Sequence, residues 1–362
     1  MPQPPPLPLY LTTGYLFGLA MWIVAGCVAF VVLLRFRRAW RKQPKRLRWV
    51  NLSLSCWMFC AGLTALELYF AFVYDASDSF NQTHVSKRWF QKHVVANEAG
   101  FRDDHPFPPT VPNGVHRICF LGDSFTFGHG VNEVRNRFTD RVGVELESAQ
   151  PGKFVVNNLA QPGWHPVLND ALLKELVGNG VQMHTVIHTI CLNDIEAFDK
   201  DTGRYYQKLG RHAPSSFLFR DTYFFNLAYY RVLQLRQPEI RNYYNFVEES
   251  YNGPAWDSMQ RLLREMHRFC RERNIDLRMV LFPFVHNLGP NNPYESAHRK
   301  LVEFCEAEKL PVLDLLPVLT PHAGEGLTVS AFDAHPNERA HALAAEAIRR
   351  DLLGDLFRLD EK

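Results

Sequence analysis

The sequence predicts an α/β protein in which a parallel sheet carries helices on both faces, with two membrane-spanning helices ahead of it. Three observations point there. Beyond residue 115, short apolar runs alternate with amphipathic helical patterns, as strand–helix–strand units around a parallel sheet do. Two stretches of 26 residues, 9–34 and 49–74, hold a single formal charge between them. Each is long enough to cross a bilayer core of ~30 Å with some tilt. Between them, residues 35–48 carry eight Lys/Arg and no acid. The expected division is 1–74 for the two spans and their basic loop, 75–114 for a linker, and 115–362 for the α/β domain with an aromatic-rich insertion at 198–251.

In chain order, residues 1–8 are proline-rich and uncharged. The first span lacks the basic leader of a cleavable signal peptide, and its apolar core is too long for one. The second has Glu67 as its one charge. An acid inside a span marks function by default, or is tolerated where it faces a partner helix. By the positive-inside rule the loop 35–48 faces the cytoplasm, so everything after Asp75 is expected outside it, on a two-pass membrane protein. A soluble helical hairpin is the competing arrangement, and the length of the two spans argues against it. Asp75–Gly114 is polar and proline-spotted, with a turn around Asn97–Asp103 that buries one aromatic.

Strands are expected at His116–Leu121, Phe154–Leu159, Thr185–Cys191, Leu277–Phe282 and Val312–Leu315. Helical patterns fall at Glu133–Ser148, Val167–Gly178, Ala255–Arg273, Tyr294–Glu308 and Glu338–Leu353. The last has Ala340, Leu343, Ala344 and Ile348 on one face, as docking on a sheet requires. Fourteen Phe/Tyr crowd the 54 residues Phe198–Tyr251. That segment follows the third strand, so it is either a helical cap walling a substrate pocket or a peripheral insertion packing its rings on the domain.

Composition narrows the function. With 46% hydrophobic and 22% charged residues the chain is an ordinary globular one. Its net charge is +2, and setting aside the eight cations of the loop leaves about −6. Nucleic-acid binding has little electrostatic support in such a chain. The seven cysteines lie scattered without paired spacing and read as small buried hydrophobes. No cofactor or metal site is expected from them, nor from His184 and His188, which bracket a strand with no third ligand.

Four blocks carry chemistry. Gly122-Asp123-Ser124 ends the first strand abruptly, where a parallel sheet presents groups to ligands. Asn157 to Trp164 follows the second strand and contains the Pro162-Gly163 turn; Cys191-Leu-Asn-Asp194 ends the third; Phe332-Asp-Ala-His-Pro-Asn337 precedes the last helix. Taken together, Arg117–Leu353 resembles the SGNH hydrolases, the GDSL-type esterases and acylhydrolases. The resemblance implies a flavodoxin-like three-layer α/β/α sandwich with five parallel strands in the order 2-1-3-4-5. It implies Ser124 as nucleophile, His335 as general base and Asp333 as orienting acid. The oxyanion hole is implied at Ser124, Gly163 and Asn193.

The chain departs from the family pattern twice. Cys191 stands where the third block has glycine, and Asp333-Ala-His335 is one residue shorter than Asp-x-x-His. The shorter spacing resembles a branch with bacterial polysaccharide acetyl-transfer and acetyl-esterase proteins. Phe125 and Trp164 are candidate walls of the substrate pocket, although core packing explains Phe125 equally well. Asp123 is read as capping the turn, Asp194 as orienting the loop of Asn193, and His129 and His165 as loop histidines flanking the site. The expected function is a membrane-anchored serine esterase that cleaves or transfers an acyl group, acetyl included, on an extracytoplasmic glycan or lipid. The alternative is an inactive, tethered carbohydrate- or lipid-binding module. The expected partners are the bilayer and the acylated substrate; neither the oligomeric state nor the substrate is legible.

Overall fold

A computed structural model describes residues 9–199, 213–236, 243–290 and 292–358. Of these, 9–76, 80–91 and 213–234 form one compact unit, and 77–79, 92–199 and the described residues from 235 on form another.

The first unit is built on two helices, α1 (Thr13–Ala39) and α2 (Pro44–Leu68), each long and apolar enough to cross a membrane. Both extend into the basic stretch expected as a loop, which shrinks to residues 40–43. Lys and Arg are good helix formers, and Arg37 and Arg38 lie in the last turn of α1, where cations suit the carbonyl end of the helix dipole. Pro44 opens α2 at a position that needs no N–H. The helices pair antiparallel through polar rungs. The Tyr15 hydroxyl donates to Glu67 (2.6 Å), the Trp22 indole to Thr64 Oγ1 (2.9 Å), and the Trp57 indole to the Gly26 carbonyl (2.8 Å). Phe17, Met58 and Phe59 leave apolar surface exposed on this pair.

Helix α2 continues as a π turn, Tyr69–Val73. Its free carbonyls are bound by Arg88 of α3 (His84–His93), a helix inside the stretch expected as a linker: the buried guanidinium donates to the Phe70, Ala71 and Tyr74 oxygens. A helix end leaves such carbonyls without intrahelical partners. The aromatic-rich stretch also differs from expectation. Residues 200–212 and 237–242 lie outside the described residues; Phe217–Arg220 and Phe224–Arg236 are helices, nearly all of whose residues belong to the first unit, and Tyr243–Ser250 is a helix of the second. The stretch is thus divided rather than a single insertion of the α/β domain. Glu67 is the physical reason. Its carboxylate accepts from the Tyr223 N–H (2.8 and 3.0 Å) and the Phe224 N–H (2.8 Å), which fixes the start of the helix Phe224–Arg236.

The second unit holds a five-stranded, all-parallel sheet of β1 (His116–Leu121), β2 (Phe154–Asn158), β3 (Thr185–Cys191), β4 (Asp276–Phe282) and β5 (Val312–Asp314), in the order β2-β1-β3-β4-β5. The register aligns Ile118 with Val156 on one side and Thr185 on the other. Nearly every residue of β1, β3 and β4 is buried. Strands buried on both sides need helices on both faces, which makes this the expected three-layer sandwich. Helix α5 (Phe138–Ala149) packs on Glu338–Ala347, and α6 (Pro166–Gly178) on Pro254–Arg271. An antiparallel pair, β6 (Thr328–Ser330) with β7 (Asp333–Pro336), was not anticipated. It carries Asp333 and His335.

Candidate active site

Strand β1 ends at Leu121, and the next residues turn into a single helical turn, α4 (Ser124–Phe127). Only glycine fits at 122: a Cβ there would collide with the Thr126 hydroxyl and approach the Thr189 carbonyl of β3 to 3.2 Å. Asp123 caps the turn, its Oδ1 accepting from Phe125 N (2.9 Å). The serine therefore stands at the first position of α4, at the carboxyl end of the central part of the sheet.

Strand β7 brings the other groups. Alternate residues of a strand face one side, so the Asp-x-His spacing sets Asp333 and His335 next to each other. Asp333 Oδ1 lies 2.6 Å from His335 Nδ1 and accepts from the His335 backbone N–H at 3.0 Å. The opposite ring nitrogen, His335 Nε2, lies 2.8 Å from Ser124 Oγ. A carboxylate can only accept, so Nδ1 carries the proton and Nε2 is left to accept from the serine.

Electrostatics follow this geometry. Burial raises the Asp333 carboxyl, but the charges of His335 and His129 and hydrogen bonds from His335 and Ser77 hold it well below the usual range. Burial lowers the His335 imidazole, yet the Asp333 charge and hydrogen bond prevail and leave it above its ordinary 6.5, with Asp123 and Asp78 acting in the same direction. His129 stacks on His335 with ring centroids 4.1 Å apart, and its Nε2 donates to the Asp78 carbonyl at 3.0 Å. Burial and the charge of His335 bring His129 down to about 3. Burial likewise lowers His286 to about 4. Of these three neighbouring imidazoles, His335 alone is shifted upward.

Gly163 lies in an exposed turn after β2, and Asn193 in a 3₁₀ turn, Leu192–Phe198, after β3. Burial raises the Asp123 carboxyl to about 6, against the hydrogen bond it accepts from the Phe125 N–H. Asp194 accepts from the Cys191 N–H (3.1 Å), fixing the turn that carries Asn193. Cys191 is wholly buried there, and burial pushes its thiol well above 9. Phe125 is 6% exposed and meets His335 and Phe282 edge-on at 5.4 Å each, which is the packing of a core ring. Trp164 is half-buried, and His165 precedes α6 at its N-cap.

His184 accepts from the Arg117 N–H, and His188 is buried beside Asn169; the two do not converge on a common ligand. Among the described residues, His129, Asp333 and His335 are grouped tightly enough to suggest ligands, but their hydrogen bonds to one another, Ser124 and Asp78 already account for the grouping. Sequence reasoning missed Ser77, Asp78 and His286 and gave His129 no definite role. Ser77 lies 256 positions from Asp333, and no local pattern links them.

A sequence model of the GDSL-like lipase/acylhydrolase family matches residues 120–343. The chain belongs to that family. This GDSL-family protein is accordingly a hydrolase acting on ester bonds. No curated protein sequence matches it. Solved structures similar to it include a catalytic mutant of an acetylxylan esterase from Geobacillus stearothermophilus, with 14% identity and a TM-score of 0.42 over 65% of this chain and 93% of the other. Another is a putative lipolytic protein of the G-D-S-L family from Desulfitobacterium hafniense, with 16% identity and a TM-score of 0.39 over 65% and 99%. A G-D-S-L family member from Veillonella parvula has 13% identity and a TM-score of 0.39 over 66% and 98%.

Proposed function

We propose that this GDSL-family protein is a membrane-anchored serine esterase that cleaves or transfers an acyl group, acetyl included, on an extracytoplasmic glycan or lipid. One observation carries the serine mechanism: the unbroken hydrogen-bond chain from Ser124 Oγ through both nitrogens of His335 to Asp333. His335 Nε2 takes the Ser124 proton as Oγ attacks the ester carbonyl, and Asp333 stabilises the imidazolium that forms. The tetrahedral oxyanion is held by the N–H groups of Ser124 and Gly163 and the Asn193 amide. When the C–O bond breaks, His335 returns its proton to the departing alcohol and the acyl group stays on Ser124. A water or an acceptor hydroxyl, deprotonated by His335 in turn, then releases it as acid or as a new ester. The anchor reading is supported by two long apolar helices with basic residues at their junction.

A fluorophosphonate probe applied to membranes holding the full-length protein tests the mechanism. Labelling that vanishes in Ser124→Ala supports it; folded wild-type protein that stays unlabelled counts against it. Labelling by an impermeant form of the probe on the outer side of intact cells tests the orientation.

A further inference from the structure

The acid of the hydrogen-bond chain is held from an unexpected quarter. Asp333 Oδ1 is committed to His335, and Oδ2 accepts a hydrogen bond from the hydroxyl of Ser77. Ser77 opens a three-residue segment that packs along β7. Ser79 Oγ accepts from the Ala334 N–H at 2.8 Å, the Ser79 N–H donates to the Phe332 carbonyl at 3.3 Å, and the Asp78 carbonyl accepts from His129. Ser77 and Asp78 are 2% and 3% exposed. Glycine at 130 leaves room for this arrangement, since a Cβ there would come within 2.9 Å of the Ser77 hydroxyl. The segment lies outside the family match, which starts at residue 120, and begins four positions after the π turn that ends the second apolar helix.

We propose that Ser77 is a positioning residue of the esterase reaction, and that Ser77–Ser79 is a strap holding Asp333 and the β7 backbone in line with His335. This rests on the serine-esterase reading given above. A buried carboxylate with one oxygen short of donors, Oδ2 keeping only the longer approach of His129 Nε2 at 3.6 Å, loses stabilisation of its charge and is freer to rotate. Without the Ser77 hydroxyl, Asp333 concentrates its charge on the His335 contact and binds the imidazolium more strongly. The proton then leaves Nε2 at higher pH. The charged and titratable groups facing His335 are Asp333 and Asp78, Asp123 and His129 from the segment around α4, and His286 from the turn after β4. Ser77→Ala alters none of their side chains, so the shift reports on the Ser77–Asp333 bond.

The test uses purified full-length protein with p-nitrophenyl acetate, following kcat/KM against pH. Ser77→Ala is expected to lower kcat/KM at neutral pH about tenfold and to move the acid limb upward by about half a pH unit, in protein that stays folded although the lost buried hydrogen bond costs some stability. Ser77→Thr keeps the hydroxyl and is expected to recover most of both. A Ser77→Ala profile that superposes on wild type overturns the proposal, as does a loss of rate with an unshifted acid limb, which marks a merely structural contact. If the wild type shows no Ser124-dependent hydrolysis or probe labelling, the esterase reading itself falls and the strap proposal with it.

Discussion

Two buried carboxylates, one in each unit, make an instructive pair. Glu67 is 7% exposed and accepts from the Tyr15 hydroxyl and the Tyr223 and Phe224 backbone N–H groups. Asp333 is 1% exposed and accepts from the Ser77 hydroxyl, the His335 backbone N–H and the His335 ring. Each therefore takes one hydroxyl and at least one backbone donor, as a buried charge requires. The difference is the remaining partner. Around Glu67 every donor keeps its proton, so the carboxylate can only hold a helix start and a partner helix in place. Beside Asp333 the donor is an imidazole whose far nitrogen meets a serine, so under the proposed mechanism this carboxylate controls proton transfer.

Substitutions at the two sites are expected to have very different effects. The largest effect is expected from Ser124→Ala, which should lose fluorophosphonate labelling and lower kcat by on the order of 10⁵-fold or more. Asp333→Asn keeps the shape but offers His335 the wrong partner, with kcat expected to fall ~10⁴-fold. Steady-state kinetics with p-nitrophenyl acetate measure both. Asn193→Ala removes the amide proposed to bind the oxyanion and is expected to cost ~10²- to 10³-fold in kcat with KM little changed. An Asn193→Ala loss as deep as that of Ser124→Ala would undo the roles assigned to the two residues. Glu67→Ala sits at the other end. It should leave the labelling rate per folded molecule unchanged, lower stability by about 3 kcal/mol through unpaired buried donors, and speed hydrogen exchange at the Tyr223 and Phe224 amides. A catalytic loss without a stability loss would erase the contrast drawn above.

The pH profile sharpens the same contrast. His335 must be neutral to accept the Ser124 proton, and its pKa is raised above 6.5. Activity should therefore rise with pH through a midpoint above that value, and fall away below it as Nε2 becomes protonated. Asp333 is held far below the ordinary carboxylate range and stays ionised throughout. His129 and His286, lowered by burial to about 3 and about 4, add no limb in the neutral range. A wild-type midpoint well below 6.5 would mean that Asp333 does not support the imidazolium.

Much of the architecture followed from the order of residues alone. Apolar runs bounded by glycine and polar turns located all five sheet strands, His116–Leu121 and Thr185–Cys191 to the residue, because strands buried on both faces are dominated by apolar residues. The resemblance to the SGNH hydrolases singled out Ser124, Asp333 and His335, and the structure brings these three side chains together. Folding decided the rest. It made β7 a strand, which turns the short Asp-x-His spacing into a side-by-side pair. It drew α3 and most of the described residues of 213–236 to the apolar helices through Arg88 and Glu67, and it set Ser77 against Asp333. These contacts join positions up to 256 residues apart, and a hydrogen bond at that separation leaves no periodic trace in the sequence. Only the packed chain determines which buried acid meets which donor.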